Sequence, residues 1–274
     1  MSKEAIGIFD SGIGGLTIAS GIARALPRES IIYFGDTAHL PYGNKSAQSI
    51  QSYALAISDF LIAKSCKIIV IACNSASAVA TEILVDKFEG QVPVVNVIEP
   101  LVDEVSKKDF DKIGVIASQA TVRSDIYAKT LTQKNPNLEV VSLATGLLAP
   151  MVEEGFLNGS ISQTVINQYL SYPDFADIQA LLLACTHYPL VRNEIEGYFE
   201  AKVHVLDAIQ AVAKKVSTLL QEIGLEAAGN HRPKYQFFVS DYTQNFKKIT
   251  RLFYGEQVEL ELAHWKNDCV LKSH

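Results

Sequence analysis

Short apolar runs alternate with longer stretches of helical period from the start of the chain, and this rhythm confines it to a narrow set of folds. Ile6–Phe9 is followed by Thr17–Ala25, Ile31–Phe34 by Ser46–Ala63, Ile68–Ala72 by Ala76–Phe88, and Val92–Val97 by Pro100–Lys107. The apolar runs lack a polar alternate, which suits strands covered on both faces of a parallel sheet, with the helical stretches as crossovers. The rhythm then restarts. Ile113-Gly-Val-Ile-Ala-Ser118 echoes Ile6-Gly-Ile-Phe-Asp-Ser11 at an offset of 107 residues, and Leu181-Leu-Leu-Ala-Cys185 echoes Ile69-Val-Ile-Ala-Cys73 at 112. Near-equal offsets predict an α/β protein of two similar doubly wound parallel-sheet domains, related by a pseudo-twofold axis, with the ligand cleft between them. Turn residues near Glu99-Pro100 and Leu206–Ile209 place the first domain at 1–98 plus 209–274 and the second at 99–208. The returning segment carries a helix over Gln210–Ile223 and a strand over Tyr235–Val239.

With 274 residues, 48% of them hydrophobic and 20% charged, the chain can bury two cores of ordinary domain size, and a net charge of −6 with scattered basic residues argues against nucleic acid as the main ligand. The longest apolar runs fall far short of the roughly 20 residues of a membrane helix. Met1-Ser-Lys-Glu leads straight into a strand, without the apolar region of a secretion signal, so a cytoplasmic protein with no membrane partner is expected. Four cysteines, none in a Cys-x-x-Cys pair, are too few for a disulfide scaffold, leaving each thiol either inert or chemical.

Ligands of open parallel sheets bind beyond the carboxyl ends of the strands, so those residues carry the functional reading. The first strand ends in Asp10-Ser11-Gly12-Ile13-Gly14-Gly15, the second in Gly35-Asp36 with Pro41-Tyr42-Gly43 beyond, and the third in Cys73-Asn74-Ser75. In the second half the matching ends are Ser118-Gln119-Ala120-Thr121 and Cys185-Thr186-His187. Each half thus offers one thiol at a strand tip, followed by small polar residues that can open a helix and bind a carboxylate through free N–H groups. Two thiols facing each other across a cleft suit inversion of the carbon next to a carboxylate, where one face loses a proton and the other gains one. A thiol of ordinary pKa is mostly protonated at neutral pH, so each requires a helper; Asp10 stands near Cys73, and His187 with Glu153 near Cys185. Cys66 and Cys269, away from strand tips, read as buried small hydrophobes.

The stretches Phe9-Asp-Ser-Gly-Ile-Gly-Gly15, Tyr33-Phe-Gly-Asp36 with Leu40-Pro-Tyr-Gly43, Ile71-Ala-Cys-Asn-Ser-Ala-Ser77, Thr121-Val-Arg-Ser124 and Leu182-Leu-Ala-Cys-Thr-His-Tyr-Pro-Leu190 together resemble the bacterial glutamate racemases, cofactor-independent enzymes that make D-glutamate for peptidoglycan. The resemblance implies Cys73 and Cys185 as the two catalytic bases. It implies that Asp10, His187, Asp36 and Glu153 assist them, and that Asp10, Ser11, Pro41, Tyr42, Gly43, Asn74, Ser75, Ser118, Thr121, Thr186 and His187 hold the substrate. No cofactor and no metal is implied, and a homodimer is expected. Aspartate and hydantoin racemases share the two-cysteine plan but as families lack the Asp-Ser-Gly-x-Gly-Gly opening, so glutamate is favoured over aspartate. This sequence departs from the family pattern where Ser75 replaces a Thr, Ala117-Ser118 a Gly-Thr, and Thr145-Gly146 a Cys-Pro. The last change leaves Glu153 and Glu154 as alternatives for the assisting acid.

Two other chemistries compete for the same residues. Gly12, Gly14 and Gly15 with Asp36 resemble the start of a dinucleotide-binding loop, although the third glycine of that motif is replaced by Thr17 and an aspartate precedes it. Cys73, Cys185 and His187 are also zinc-ligand types, but Cys-x-His is a poor chelating spacing and no second ligand pair follows.

Overall fold

The computed structural model describes residues 4–242, 244–267 and 270–273; the N-terminal Met1–Lys3 stretch and Cys269 lie outside the described residues. Strand β1 (Ala5–Asp10) shows why both faces of its sheet are covered. Ile6 and Ile8 enter one buried apolar cluster while Ala5 and Phe9 enter another, as the alternation of side chains along a strand requires. The same split recurs in β3 (Cys66–Ile71), with Ile68 and Val70 on one side and Ile69 and Ile71 on the other. β2 (Ile31–Gly35) and β4 (Val94–Asn96) flank these two strands. Helices Ala47–Ala63 and Asn74–Lys87 cover the Phe9 face. Helices Leu16–Ala25 and Ile98–Val105 cover the Ile6 face, whose apolar cluster continues into the second sheet.

That second sheet holds β5 (Lys112–Ala117), β6 (Glu139–Ala144), β7 (Ala180–Ala184) and β8 (His204–Leu206) in the order β6-β5-β7-β8. The first sheet contains the run β2-β1-β3-β4, which is the same order. The sequence echoes fall on equivalent places: Ile6 lies between Ile31 and Ile68, and Ile113 between Val140 and Ala180. Likewise Gly7 pairs with Ile69, and Gly114 with Leu181. Two parallel-sheet α/β domains therefore share one strand plan.

The likeness stops at one edge. β9 (Tyr235–Val239) adds parallel to β2, β10 (Leu260–Asn267) adds parallel to β9, and β11 (Val270–Ser273) closes the seven-stranded sheet antiparallel to β10. Periodicity placed the helix after β4 at Pro100–Lys107, whereas it spans Ile98–Val105, because the Asn96 side chain accepts the N–H groups of both Ile98 and Glu99 at 2.9 Å and starts the turn early. Helix Ile209–Glu222 packs its Val212, Val216 and Leu220 into the cluster common to both sheets. Among the described residues, no helix is long and apolar enough to cross a membrane.

A buried ion pair fixes the returning segment. Lys67 on β3 and Glu29 just before β2 are each under 5% exposed; the Lys67 Nζ donates to Glu29 Oε2 and to the Leu225 carbonyl, both at 2.6 Å, and Glu29 Oε1 accepts the Ala227 N–H at 2.7 Å. Removing one partner strands the other charge, so Lys67→Met should lower the unfolding free energy by about 3–5 kcal/mol in denaturant titration. Removing both charges in Lys67→Met with Glu29→Leu should cost less than the single change.

Candidate active site

The strand tips converge on a cavity of about 300 Å³ between the two sheets. Ser11, Pro41, Tyr42, Gly43, Cys73, Asn74, Ser75, Ser118, Glu153, Cys185, Thr186 and His187 line it. Asp10, Asp36 and Thr121 do not, and stand behind that lining. A larger groove of about 630 Å³ runs beside β4, lined by Val85, Ile223 and their neighbours, and among the described residues no thiol or imidazole lines it. The reactive strand-tip residues gather at the smaller cavity.

Cys73 caps the N-terminus of helix Asn74–Lys87 in extended conformation, so the thiol sits where the strand turns into the helix and the first N–H groups of that helix lie beside it. The sulfur is 3.6 Å from the Ser11 hydroxyl. Burial and the negative charge of Asp10 push the thiol up to about 12, against hydrogen bonds from Ala76 and Ser11 that pull it down. Cys73 is thus held protonated. Asp10, at the end of β1, accepts the N–H groups of Gly15 at 2.9 Å and Gly12 at 3.3 Å through Oδ2, while its buried Oδ1 accepts no hydrogen bond from the described residues. Burial raises the Asp10 carboxyl above the ordinary carboxylate value, although the charge of His187 and the loop N–H groups pull it down.

The other thiol has different surroundings. Cys185 Sγ lies 3.8 Å from His187 Nδ1, and His187 Nε2 is 2.8 Å from Glu153 Oε1. Burial opposes charge on the ring, but hydrogen bonds to Cys185 and Glu153 outweigh it and hold the imidazole up to about 10. The ring is therefore a cation at neutral pH, with a carboxylate on one side and a sulfur on the other. Phe253 stands edge-on to it, ring centroids 5.0 Å apart. Of the two candidate acids, Glu153 makes this contact, whereas Glu154 is exposed.

The glycines of the first loop are accounted for by packing within the protein. A methyl group at Gly14 would overlap the His187 ring and the Thr186 hydroxyl, and one at Gly15 would overlap the Asp10 side chain. Close approach of the two halves fills the space that a phosphate cradle would need. Thr17 bridges them, its hydroxyl lying 2.9 Å from the Gly14 carbonyl and 3.1 Å from the Thr186 carbonyl. Among the described residues no three His, Cys, Asp or Glu side chains gather closely enough to hold a metal ion.

Neutral polar groups complete the walls. Ser75 and Ser118 meet hydroxyl to hydroxyl at 2.8 Å across the cleft, and Thr121 lies 3.1 Å behind Ser118. Asn74 is held by Tyr127, whose hydroxyl donates to Asn74 Oδ1 at 2.7 Å. Thr145 and Tyr188, 2.7 Å apart through their hydroxyls, line the cavity, as do Gly146, Ala149 and Pro150. None of these was singled out as a site residue in the sequence. Tyr188 carried a signal in standing next to His187 in the Cys-Thr-His-Tyr-Pro stretch, and Thr145-Gly146 in standing where the family pattern has Cys-Pro. Among the described residues no Lys or Arg lines the cavity.

Two thiols thus line one small cavity, Cys73 under the charge of the buried Asp10 and Cys185 beside the His187 ring. The model of the Asp/Glu/Hydantoin racemase family matches residues 6–216. The glutamate racemase of Chlorobium phaeobacteroides is 41% identical over 252 residues, 92% of each chain, and that of Neisseria gonorrhoeae is 40% identical over 94% of this chain and 96% of its own. A crystal structure of the Francisella tularensis glutamate racemase in complex with D-glutamate superposes with a TM-score of 0.90 at 40% identity, covering 96% of this chain and 98% of that one. The chain belongs to the Asp/Glu/Hydantoin racemase family, and the protein is an enzyme of the isomerase class.

Proposed function

We propose that the protein interconverts L- and D-glutamate without a cofactor, Cys73 serving one face of the α-carbon and Cys185 the other. The observation that carries this reading is that both thiols line one small cavity and differ in how they are partnered. Cys185, beside the His187 ring, removes the α-proton from one face while Cys73, held as a thiol, delivers a proton to the other. The opposite enantiomer runs the transfers in reverse, and the raised Asp10 carboxyl then relieves Cys73 of its proton. The helix N-terminus at Asn74–Lys87 suits the substrate α-carboxylate. Ser11, Tyr42, Gly43, Ser75, Ser118 and Thr186 shape the remaining walls.

The relatives' names support glutamate as substrate; D-glutamate for peptidoglycan as the use of the product, and a cytoplasmic homodimer as the working form, rest on the sequence reading alone. In the same reading the chain divides into domains at 1–98 plus 209–274 and at 99–208. Purified protein given L-glutamate and no pyridoxal phosphate should lose the circular dichroism signal of the substrate to zero. A strict need for added cofactor would sink the proposal. Aspartate, one methylene shorter, should show kcat/KM lower by about 10² or more, since walls set for the longer chain leave their polar groups unpaired.

A further inference from the structure

Asp36 was expected among the groups that assist the thiols, yet it neither lines the cavity nor touches a sulfur. It is fully buried at the end of β2, and donors from several directions occupy it. Oδ2 accepts the Tyr42 hydroxyl at 2.6 Å; Oδ1 accepts the Ser240 hydroxyl at 2.7 Å and the Trp265 indole N–H at 2.9 Å; the His39 Nδ1 lies 3.0 Å from both oxygens. A carboxylate has about four lone-pair positions, and here all are taken, so none remains for a proton relayed from a thiol.

The donors come from distant parts of the chain. Ser240 follows β9, Trp265 belongs to β10, and His39 and Tyr42 sit in the loop between β2 and helix Ala47–Ala63. Other bonds fasten the same loop to the same segment: the Ala38 N–H donates to Ser240 Oγ at 2.9 Å, and Asp241 N–H to Thr37 Oγ1 at 2.8 Å. His39 stacks on Tyr53 at 4.1 Å and meets Trp265 edge-on at 5.0 Å. The far end of this loop, Leu40 to Asn44, forms one wall of the cavity.

We propose that Asp36 is a positioning residue that sets the Tyr42 wall of the substrate cavity, and that Trp265, far along the chain on the added strand β10, is part of the same support. This deepens the racemase reading and rests on it. The C-terminal strands thereby act on substrate binding without approaching the reacting carbon. Trp265 supplies one of the hydrogen bonds that hold the carboxylate facing Tyr42; without it the buried oxygen is underbonded and the wall loosens.

The test uses three variants of the full chain, Asp36→Asn, Trp265→Phe and Ser240→Ala, assayed for L-glutamate racemisation across pH and for D-glutamate binding by calorimetry. Losing one hydrogen bond to a buried charge corresponds to about a 10-fold effect. Expected are a KM and a dissociation constant each raised by about that factor, kcat altered less than about 3-fold, and unmoved limbs in the pH–rate profile. A fall in kcat at unchanged KM, or a shifted pH limb in any of the three, would make Asp36 a proton-relay group and overturn the proposal. Should Asp36→Asn fail to fold, Trp265→Phe and Ser240→Ala decide the matter, as each leaves the carboxylate in place. A wild-type protein that binds D-glutamate but does not racemise it would instead refute the racemase reading, and D-glutamate affinity weakened in the variants would still uphold the positioning role.

Discussion

Serine in place of Cys73 or of Cys185 is expected to cut glutamate racemisation by about 10³-fold or more, because a hydroxyl is scarcely ionised near neutral pH and the affected face loses both its base and its matching acid. Racemisation needs both faces in every turnover, so the two variants should be equally dead by this measure. Elimination separates them. Expelling chloride from β-chloroglutamate requires removal of the α-proton from one face only, as the C–Cl bond breaks and a C=C bond forms. Each variant should eliminate from a single enantiomer, and the two should prefer opposite ones. Chloride release from D and L substrate, measured in parallel, checks this; elimination from the same enantiomer by both variants would show that the thiols do not serve opposite faces.

Removal of the imidazole beside Cys185 has the next largest expected effect. His187→Asn should lower kcat by about 10²-fold or more, since the sulfur at 3.8 Å loses its proton acceptor and the Glu153 carboxylate at 2.8 Å loses its counter-charge. The same change has a signature in stability. The ring is held up to about 10 from an ordinary 6.5, so between these values the folded protein binds a proton that the unfolded chain does not. Its stabilising contribution is complete below about pH 6.5 and is lost as pH rises toward 10. Wild-type denaturation midpoints should decline through that window, and those of His187→Asn should decline less. Parallel curves would remove the charged-ring assignment.

Strand tips announce themselves in sequence because a reactive or small polar residue directly after an apolar run is conspicuous; Cys73, Cys185 and Asp10 were readable for that reason. The second sheet was partly hidden. β6 is an edge strand with half-exposed positions and no continuous apolar run, and β8 is only three residues long. The strands β10 and β11 left no signal that periodicity could separate from a polar tail. What no local pattern can supply is contact between distant segments. Tyr127 behind Asn74, Phe253 against His187 and Trp265 on Asp36 are separated from their partners by 53, 66 and 229 residues. Which of Glu153 and Glu154 stands against the His187 ring likewise shows only once the helix Leu148–Glu153 is in place.

The unequal partnering of the two sulfurs has a thermodynamic consequence. Mirror-image glutamates have equal free energies in water, so the equilibrium constant is unity whatever the catalyst, and kcat/KM must be identical in the two directions. In an enzyme with one thiol under the charge of a buried carboxylate and the other beside a charged ring, kcat and KM can each differ between the two directions provided both differ by the same factor. The side whose resting protonation already matches one enantiomer should bind it and turn it over with one pair of constants, and its antipode with another pair of the same ratio. Handedness in this protein therefore belongs to its rates and its occupancy, and isotope effects measured from each enantiomer should differ although the final mixture is racemic.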